Sequence, residues 1–533
     1  MSQMLKSSGA LAAATLTSRV LGMVREMAYA AFMGNTEVAS AFIWAFQVPN
    51  LFRRLLGEGA LTAAFIPIFK HKERQEGEQE MWRCANAVIS GLIATAGALT
   101  VVVMLALSLW LTFGHLPSDW RLMIQLLDLM FPYMLLVCLA AAMIGMANAR
   151  GHFFIPALGA AILNVVMIAS VWWLAPRMGK DLQHQIFGLA IGVLLAGLAQ
   201  ATFQLPTLGR EGFRYRWVSP WGDPTVHEVI RKMLPGSIGV AAFQINVLLT
   251  GLCSFWFDKS IISTFNFSVR LMELPQGMFG ISLATYLLPA LSGLAAEKKY
   301  PEFRVMLRQG LGHLAFANLL ATAIALGLAE PIVRLLFERG EFGPSATRRV
   351  ALSLACLAPG LLMFSANNIL ARAFYALKDI KSPMKISVFC LVLNLVLAVS
   401  FVKSFQGSGI GGEVGLAAAN TMSATLNAVL LAYALRRKLK YLGLAGLKPV
   451  LLVLLGAAAL AGAIAAGLSF LWERNLGHTS LLLKAGAVFV PATVAGLAYW
   501  LAALAGRVPA ATEVTGLVLA RFRQWARMSA TTD

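Results

Sequence analysis

The sequence predicts an all-α polytopic membrane protein. Fourteen transmembrane helices are expected, as two six-helix lobes related by a pseudo-two-fold axis along the membrane normal plus two extra C-terminal helices. Three observations predict it. Of 533 residues, 58% are hydrophobic and only 13% charged, about half the charged share of a soluble chain. Apolar windows of about 20 residues, the length that crosses a bilayer core, recur along the whole chain. Stretches of the first half also return, in order, in the second.

In the first half the windows fall near 8–32, 38–69, 84–113, 122–149, 154–175 and 185–207. In the second they fall near 235–257, 260–296, 306–328, 347–375, 383–404 and 412–435, with an extra pair near 447–472 and 481–505. The second and eighth are too long for one straight span. Each holds a proline and glycines, "QVPNLFRRLLGEG" and "ELPQGMFG", so each is expected to bend or break there. The opening "MSQMLKSSGALAAATLTSRVLG" has one lysine and no clear cleavage site, so the first span is expected to stay in the mature chain. The domains that follow are 1–218 and 219–440 for the lobes, 441–508 for the extra pair and 509–533 for a tail. In that tail "EVTGLVLARFRQWARM" mixes apolar and basic residues at helical spacing, as an amphipathic helix lying on the cytoplasmic membrane surface does.

The repeat is direct. "GLAIGVLLAGLAQ" (188–200) aligns without gaps to "GLAAANTMSATLN" (415–427), and each sits at the sixth span of its set. "HFFIPALGAAILN" echoes "IKSPMKISVFCLVLN", and "FQVPN" parallels "MELPQ". Six spans per set is an even number, so both halves enter the bilayer in the same orientation. Paired bundles of this kind bind substrate near the midplane and alternate access by rocking.

A net charge of +19 raises nucleic acid as a partner, and the distribution excludes it. "KHKER", "REGFRYR", "EKKYPEFR", "LKDIKSPMK" and "LRRKLK" all fall on one side if the N-terminus is inside, which sets an N-in, C-in orientation. Such loops face anionic lipid, and no nucleic-acid motif accompanies them. One loop objects, because Arg334, Arg339, Arg348 and Arg349 fall outside. Cys84, Cys138, Cys253, Cys356 and Cys390 lie in apolar runs with no metal-ligand spacing and read as small packing residues. No metal or cofactor is expected. There is no G-x-x-x-x-G-K-[ST], so a membrane potential or an ion gradient must drive any transport.

The arginines inside spans point to function. Arg19 lies about 11 residues into its helix, roughly mid-bilayer at 1.5 Å per residue, and Arg270 is placed similarly. A central Arg costs about 2.5–3.5 kcal/mol to insert. Arg19, Arg25, Arg53, Arg54, Arg270 and Arg372 therefore need compensation from water, acids or an anionic ligand. Arg54 and Glu58 stand at i,i+4 and Arg270 and Glu273 at i,i+3, so each pair can bridge on its own helix. Arg19 and Glu26 share a face but lie about 10 Å apart along the axis. Arg19, Arg25 and Arg53 are expected to lack a local partner. Snorkelling explains one such residue, but three are better explained by a hydrated cationic cavity between the halves. Its natural ligand is an amphipathic anion, and the guanidinium fork suits phosphate. Gly22, Gly57, Gly59 and Gly277 read as positions of helix contact or bending.

"SRVLGMVRE" (18–26), "AFQVPNLFRRLLGEGALTAAFIPIF" (45–69) and "VRLMELPQGMFGISLATYLLPALS" (269–292) closely resemble the MurJ/MviN lipid II flippases. That family belongs to the MOP exporter superfamily with the MATE drug exporters and polysaccharide flippases, and the likeness runs along the whole chain. It implies an inner-membrane transporter, not an enzyme, that carries lipid II (undecaprenyl-diphosphate-linked disaccharide-pentapeptide) from the cytoplasmic to the periplasmic leaflet. The expected setting is a monomer among membrane lipids and the cell-wall synthesis machinery. The resemblance places the family's substrate-binding arginines at Arg19, Arg25, Arg53 and Arg270, and its motif residues at Gly22 and Glu58. It also implies that the last two helices form a groove for the prenyl tail. Many relatives have Asp where this chain has Ser40, so a gating or coupling acid is absent there. Glu37, three residues earlier, and then Glu26 are the substitutes to consider. Ser40 itself is expected to border water at the outer mouth. A family sodium site is not expected from Asn394 and Ser423, which have no membrane Asp nearby. Two other readings remain, a flippase for another polyprenyl-diphosphate sugar and a MATE-like antiporter, and the shortage of cavity acids opposes the second.

Overall fold

The computed structural model describes residues 2–55, 61–516 and 519–520, and every regular element among them is helical. Contacts separate two compact units, Met1–Ser263 with Arg339–Phe342, and Thr264–Glu338 with Gly343–Asp533.

The first unit holds α1 (Ser2–Met33), α2 (Glu37–Phe52), α3 (Thr62–Glu76), α4 (Glu78–Phe113), α5 (Ser118–Met130), α6 (Tyr133–Ala149), α7 (Phe154–Ala169), α8 (Leu182–Arg210) and α9 (Pro224–Phe257). Within it α8 packs closely on its neighbours through glycines. A β-carbon on Gly188 would stand 2.7 Å from the Ala175 Cα, one on Gly197 would stand 2.7 Å from the Tyr133 ring, and one on Gly192 would overlap the Ser170 hydroxyl. Lipid offers helices no hydrophobic drive to associate, so close backbone approach through small residues takes that role. At one end of the unit Phe65, Phe69, Trp82 and Phe213 form a chain of ring contacts with centroids 5.4, 5.6 and 5.4 Å apart. Contact places α9 in this unit, although its position in the repeat makes it the first span of the second set.

The second unit holds α10 (Ile261–Pro275, whose first three residues belong to the first unit), α11 (Ser282–Ala296), α12 (Tyr300–Gly327), α13 (Ala329–Phe337), α14 (Pro344–Leu357), α15 (Gly360–Ala376), α16 (Lys381–Gly407), α17 (Gly412–Leu439), α18 (Leu447–Leu476) and α19 (Leu481–Ala505). Gly415, the repeat counterpart of Gly188, lies against α16, where its β-carbon would stand 2.5 Å from the Phe401 carbonyl oxygen. The repeated stretch is thus a contact surface, laying the sixth span of each half on the segment before it. The extra pair packs on α12 through an alanine seam that includes Ala315, Ala323, Ala457, Ala461 and Ala465. The Tyr499 hydroxyl donates to the Phe316 carbonyl at 2.8 Å.

Among the described residues nine helical runs are long and apolar enough to cross a membrane, and two bent pairs bring this to eleven. The eighth expected span is interrupted where the proline and glycines predict, by a π-helical turn at Gln276–Ile281 between α10 and α11. In the second, α2 passes into a π-helical turn at residues 53–55, and Gly57, Glu58 and Gly59 lie outside the described residues. Two windows that read as single straight spans need correction. Residues 122–149 form α5 and α6, bent 41° at Pro132, and residues 347–375 form α14 and α15, bent 47° at Pro359. Proline removes an N–H and crowds the carbonyl four residues back. Both prolines stand in the fourth span of their half.

Two of the four objecting arginines at 331–349, Arg334 and Arg349, are neutralised by acidic partners. Arg334 is buried on the amphipathic α13, 2.5 Å from Glu330 and 3.6 Å from Glu338, and it also bridges Glu473 on α18. Lys484 of α19 reaches Glu338 at 3.3 Å. Arg349 forms a two-pronged pair with Glu413 of α17, both contacts at 2.7 Å. Charge neutralised in this way carries little weight in a loop-charge count. Arg334→Ala would leave three carboxylates facing one another, and is expected to destabilise the chain by about 3–5 kcal/mol. Thermal unfolding in detergent checks this, with Glu473→Gln expected to cost less because Arg334 keeps Glu330 and Glu338.

Asp379 ties the α16 start to the α17 end. It accepts from Lys438 Nζ at 2.6 Å, the Ser382 amide at 3.0 Å and the Ser382 hydroxyl at 2.8 Å. Lys438 foremost, then the Ser382 donors, hold its carboxyl at about 2, below the ordinary 3.8. A depressed pKa stabilises the fold above the unfolded value, and that stabilisation fades as pH falls through the folded one. Asp379→Asn is therefore expected to lower the melting temperature at pH 7, with the gap to the parent narrowing between about pH 4 and 2.

Candidate substrate-binding and gating residues

In the first unit, Arg19 is exposed on α1, with no ion pair or side-chain hydrogen bond among the described residues. Three residues along, Gly22 faces α7, where its β-carbon would lie 3.6 Å from Asn164 Nδ2, which itself donates to the Ser18 carbonyl at 3.0 Å. Gly22 therefore sits at a helix contact held by a polar bond, and a small side chain there would meet ordinary van der Waals distance.

Arg25 corrects the expectation that it lacks a local partner. Its guanidinium contacts the adjacent Glu26 at 2.5 Å and lies 5.5 Å from the Tyr29 ring centroid. Sequence neighbours on a helix diverge in direction, which is why spacing rules overlook them, but the Arg side chain is long enough to fold back. Glu26 is 4% exposed, so the buried acid of α1 is held by Arg25 and is not a partner for Arg19.

Arg53 and Arg54 lie in the π-helical turn after α2, where Arg54 donates to Gln244 Oε1 of α9 at 3.4 Å. Such turns re-aim side chains and recur at functional sites. The expected Arg54–Glu58 bridge involves a residue outside the described set. In the second unit Arg270 bridges Glu273 at 2.7 Å with the i,i+3 spacing, on the helix that leads into the π-helical turn of the eighth span. Of the two spans with glycine and proline motifs, the second thus carries its arginines in the break itself, and the eighth carries Arg270 within the helix that leads to it.

Ser40 needs the largest correction. The sequence places it at a watery mouth, but its relative exposure is 0%. Its hydroxyl lies 3.2 Å from the Ser263 hydroxyl and accepts the Ser263 amide at 3.1 Å. Ser263 is in the first turn of α10, so Ser40 faces a donor amide at a helix N-terminus and gives its own proton to the Ser263 hydroxyl. Sequence reasoning misses Ser263, since no local signal links residues so far apart. Nearby, Thr36 caps α2 by accepting the Ala39 amide at 3.2 Å, and Glu37 occupies the first turn, half-buried. There its charge suits the positive helix end. The α1–α2 turn needs Gly34, at φ +55°, because the segment 339–342 lies on it. The Glu341 amide donates to the Ala31 carbonyl at 2.9 Å, and a β-carbon on Gly34 would come within 2.5 Å of the Glu341 carbonyl oxygen.

The described residues hold no cluster of His, Cys, Asp and Glu able to bind a metal ion. Ser423 donates its hydroxyl to the Cys390 carbonyl at 2.8 Å, tying α17 to α16.

Residues 29–486 match the family described as lipid II flippase MurJ. The chain belongs to the MurJ lipid II flippase family. A probable lipid II flippase MurJ of Vibrio cholerae is 35% identical over 445 residues, covering 80% of this chain and 82% of the relative. The lipid II flippase MurJ of Burkholderia cenocepacia is 32% identical, over 84% of this chain and 87% of its own length. Among solved structures, a lipid II flippase MurJ in an inward closed conformation aligns with a TM-score of 0.73 at 20% identity, over 92% of this chain and 98% of that one. An inward-facing MATE multidrug transporter of the MOP superfamily aligns with a TM-score of 0.65 at 13% identity, over 79% and 94%. These likenesses give a MurJ- and MATE-like helical fold for a multi-pass membrane protein. The MurJ match includes Arg53, Ser40 and Arg270, whereas Arg19, Gly22, Arg25 and Glu26 precede its first residue.

Proposed function

We propose that this protein flips lipid II from the cytoplasmic to the periplasmic leaflet of the inner membrane by alternating access. The observation that carries this reading is the family match over residues 29–486, joined by relatives about one-third identical along most of both chains. Membership speaks for transport and against a catalytic role. Fourteen spans in an N-in, C-in arrangement complete the reading, with lobes 1–218 and 219–440, the pair 441–508 lining a groove for the prenyl tail, and the tail 509–533 on the cytoplasmic surface. The protein acts as a monomer beside the cell-wall synthesis machinery.

Arg19, Arg25, Arg53 and Arg270 are the groups that meet the substrate headgroup. The diphosphate carries the negative charge that intramembrane guanidiniums call for, and a planar fork grips two of its oxygens. Gly22 keeps α1 close to α7, Arg54 steadies the break after α2, and Glu273 orients Arg270. Ser40 and Glu37 act in gating, through a hydrogen-bonded contact that opens and closes with the cycle. Glu26 and Glu58 are structural or coupling acids. With no phosphate-binding loop in the sequence, a membrane potential or an ion gradient supplies the bias, the potential being worth about 2.3 kcal/mol per elementary charge per 100 mV.

The test is complementation. A Gram-negative host depleted of its own lipid II flippase should regain growth and rod shape when this chain is expressed, and should again display lipid II on the outer leaflet. Failure to rescue by protein that accumulates in the membrane overturns the assignment. Rescue of an O-antigen flippase deletion in its place would assign another polyprenyl-diphosphate sugar.

A further inference from the structure

The segment between α8 and α9 has no regular structure, yet it is firmly held. Asn86 of α4 donates through Nδ2 to the Arg214 carbonyl at 3.1 Å and accepts the Arg216 amide at 3.3 Å. Ser90, one turn further, accepts the Val218 amide at 3.2 Å, and its hydroxyl lies 3.3 Å from that of Tyr215. Phe213 buries its ring against Trp82 at one end, and Asp223 caps α9 at the other. These bonds go mostly to backbone groups, so they fix the path of the strap and leave its side chains free to face outward.

What faces outward is basic and aromatic. Arg210, Arg214 and Arg216 are exposed, and Trp217 and Trp221 are 58% and 71% exposed. The acids at the two ends of the strap are engaged elsewhere. Glu211 holds Arg150 and His152, both at 2.8 Å, and Asp223 holds Arg83 at 2.9 Å. No described carboxylate pairs with Arg214 or Arg216. The strap also lies at a particular depth. Behind it are the charged residues that open α4, while the run of exposed apolar side chains on α4 starts at Leu99, about 14 Å beyond Ser90 at the helical rise. The strap thus lies on the polar side of that apolar run, as does the headgroup level, which Trp favours and where Arg meets anionic lipid phosphate.

We infer that the 214–221 strap is a binding site for an anionic phospholipid headgroup, with Arg214 and Arg216 on the phosphate and Trp217 and Trp221 at the glycerol level. The site belongs to the lipid environment and is separate from the intramembrane arginines, so it stands whether or not the flippase reading does. Anchoring at one fixed strap would hold the inner end of α4, and the α8 and α9 ends joined to it, at constant depth.

The test uses the full-length purified protein, stripped of lipid and titrated with dioleoylphosphatidylglycerol or dioleoylphosphatidylcholine, with bound lipids counted by native mass spectrometry. The parent should retain one phosphatidylglycerol more tightly than the rest. R214Q/R216Q should weaken that step by about tenfold or more while leaving phosphatidylcholine binding and the melting temperature unchanged. R214K/R216K should keep most of it, and millimolar inorganic phosphate should not displace the lipid. Undiminished phosphatidylglycerol binding by R214Q/R216Q overturns the proposal and leaves the strap as a docking surface for an acidic protein. Equal loss in both double variants with a lowered melting temperature also overturns it, by assigning the arginines to the fold. Displacement by inorganic phosphate overturns it in favour of a free-anion site.

Discussion

Arg270→Ala should abolish rescue of a host depleted of its lipid II flippase while the protein accumulates at the parent level. The pair with Glu273 is open to its surroundings, with side-chain exposures of 32% and 47%. A bridge that exposed contributes about 0–1 kcal/mol to stability, so its loss does not threaten the fold. The functional loss is of another size, because a diphosphate that loses one of its guanidiniums loses a pair of charge-assisted hydrogen bonds. Arg19→Ala should behave alike, since Arg19 is exposed and its removal breaks no ion pair among the described residues. Arg53→Ala is expected to be equally inactive. Lysine at each position should restore only part of the activity, since it offers a point charge in place of a fork. Arg25→Ala is a poorer test, because it removes a partner 2.5 Å from buried Glu26 and so mixes stability with function. Full rescue by the alanine variants of Arg19, Arg53 and Arg270 would remove the case for a diphosphate site there.

The second large effect is at Ser40 and depends on its partner. A carboxylate in a fully buried position is ordinarily costly, which argues against Ser40→Asp. The pocket is not ordinary, however. The Ser263 amide donates to the Ser40 oxygen at 3.1 Å, in the first turn of a helix whose end favours negative charge. The Ser40 hydroxyl donates at 3.2 Å to the Ser263 hydroxyl, whose own proton goes to the Ser260 carbonyl at 2.9 Å. The introduced carboxylate, an acceptor only, would make the amide bond charge-assisted and draw the Ser263 hydroxyl proton away from the Ser260 carbonyl. Charge-assisted bonds are about twice as strong as neutral ones. Ser40→Asp should therefore accumulate normally, for a reason opposite to the watery mouth that the sequence suggests. The same substitution with Ser263→Ala leaves the buried carboxylate one donor, and that variant should lose several kcal/mol and fail to accumulate. Ser40→Ala alone should cost only about 1 kcal/mol. Membrane levels by immunoblot and melting temperatures in detergent separate the cases. A double variant as abundant as Ser40→Asp alone would show that Ser263 is not the donor that matters.

Particular residues show why some of this is legible in advance. The Arg270–Glu273 bridge follows from helical spacing alone, because i,i+3 neighbours face one another on any helix. The breaks after Arg53 and Pro275 follow from proline chemistry. Pro132 and Pro359 carry the same signal in the fourth span of each half, yet a hydropathy window averages across a bent span and hides it. The repeat near Gly188 and Gly415 is visible as a pattern, and its meaning comes only with the near-contacts to Ala175 and Phe401. Arg25–Glu26 escapes a spacing argument because adjacent residues are not expected to pair. Arg334 has Glu330 and Glu338 at i,i+4, a spacing legible in the sequence that a count of basic residues alone passes over, whereas its third partner Glu473 lies on a helix far along the chain.

Apolar windows, basic loops and repeated motifs decide that this chain enters a membrane as a bundle of helices and which family it joins. These are sums over local composition, and transfer into lipid depends on nothing more distant than the residues of one span. Which buried polar groups are satisfied is decided elsewhere. Ser40 against Ser263, Arg334 among its carboxylates and the strap on Asn86 and Ser90 exist only once separate helices pack. Inside a bilayer an unpaired polar group has no water to fall back on, so the positions of those partners decide what each residue can do.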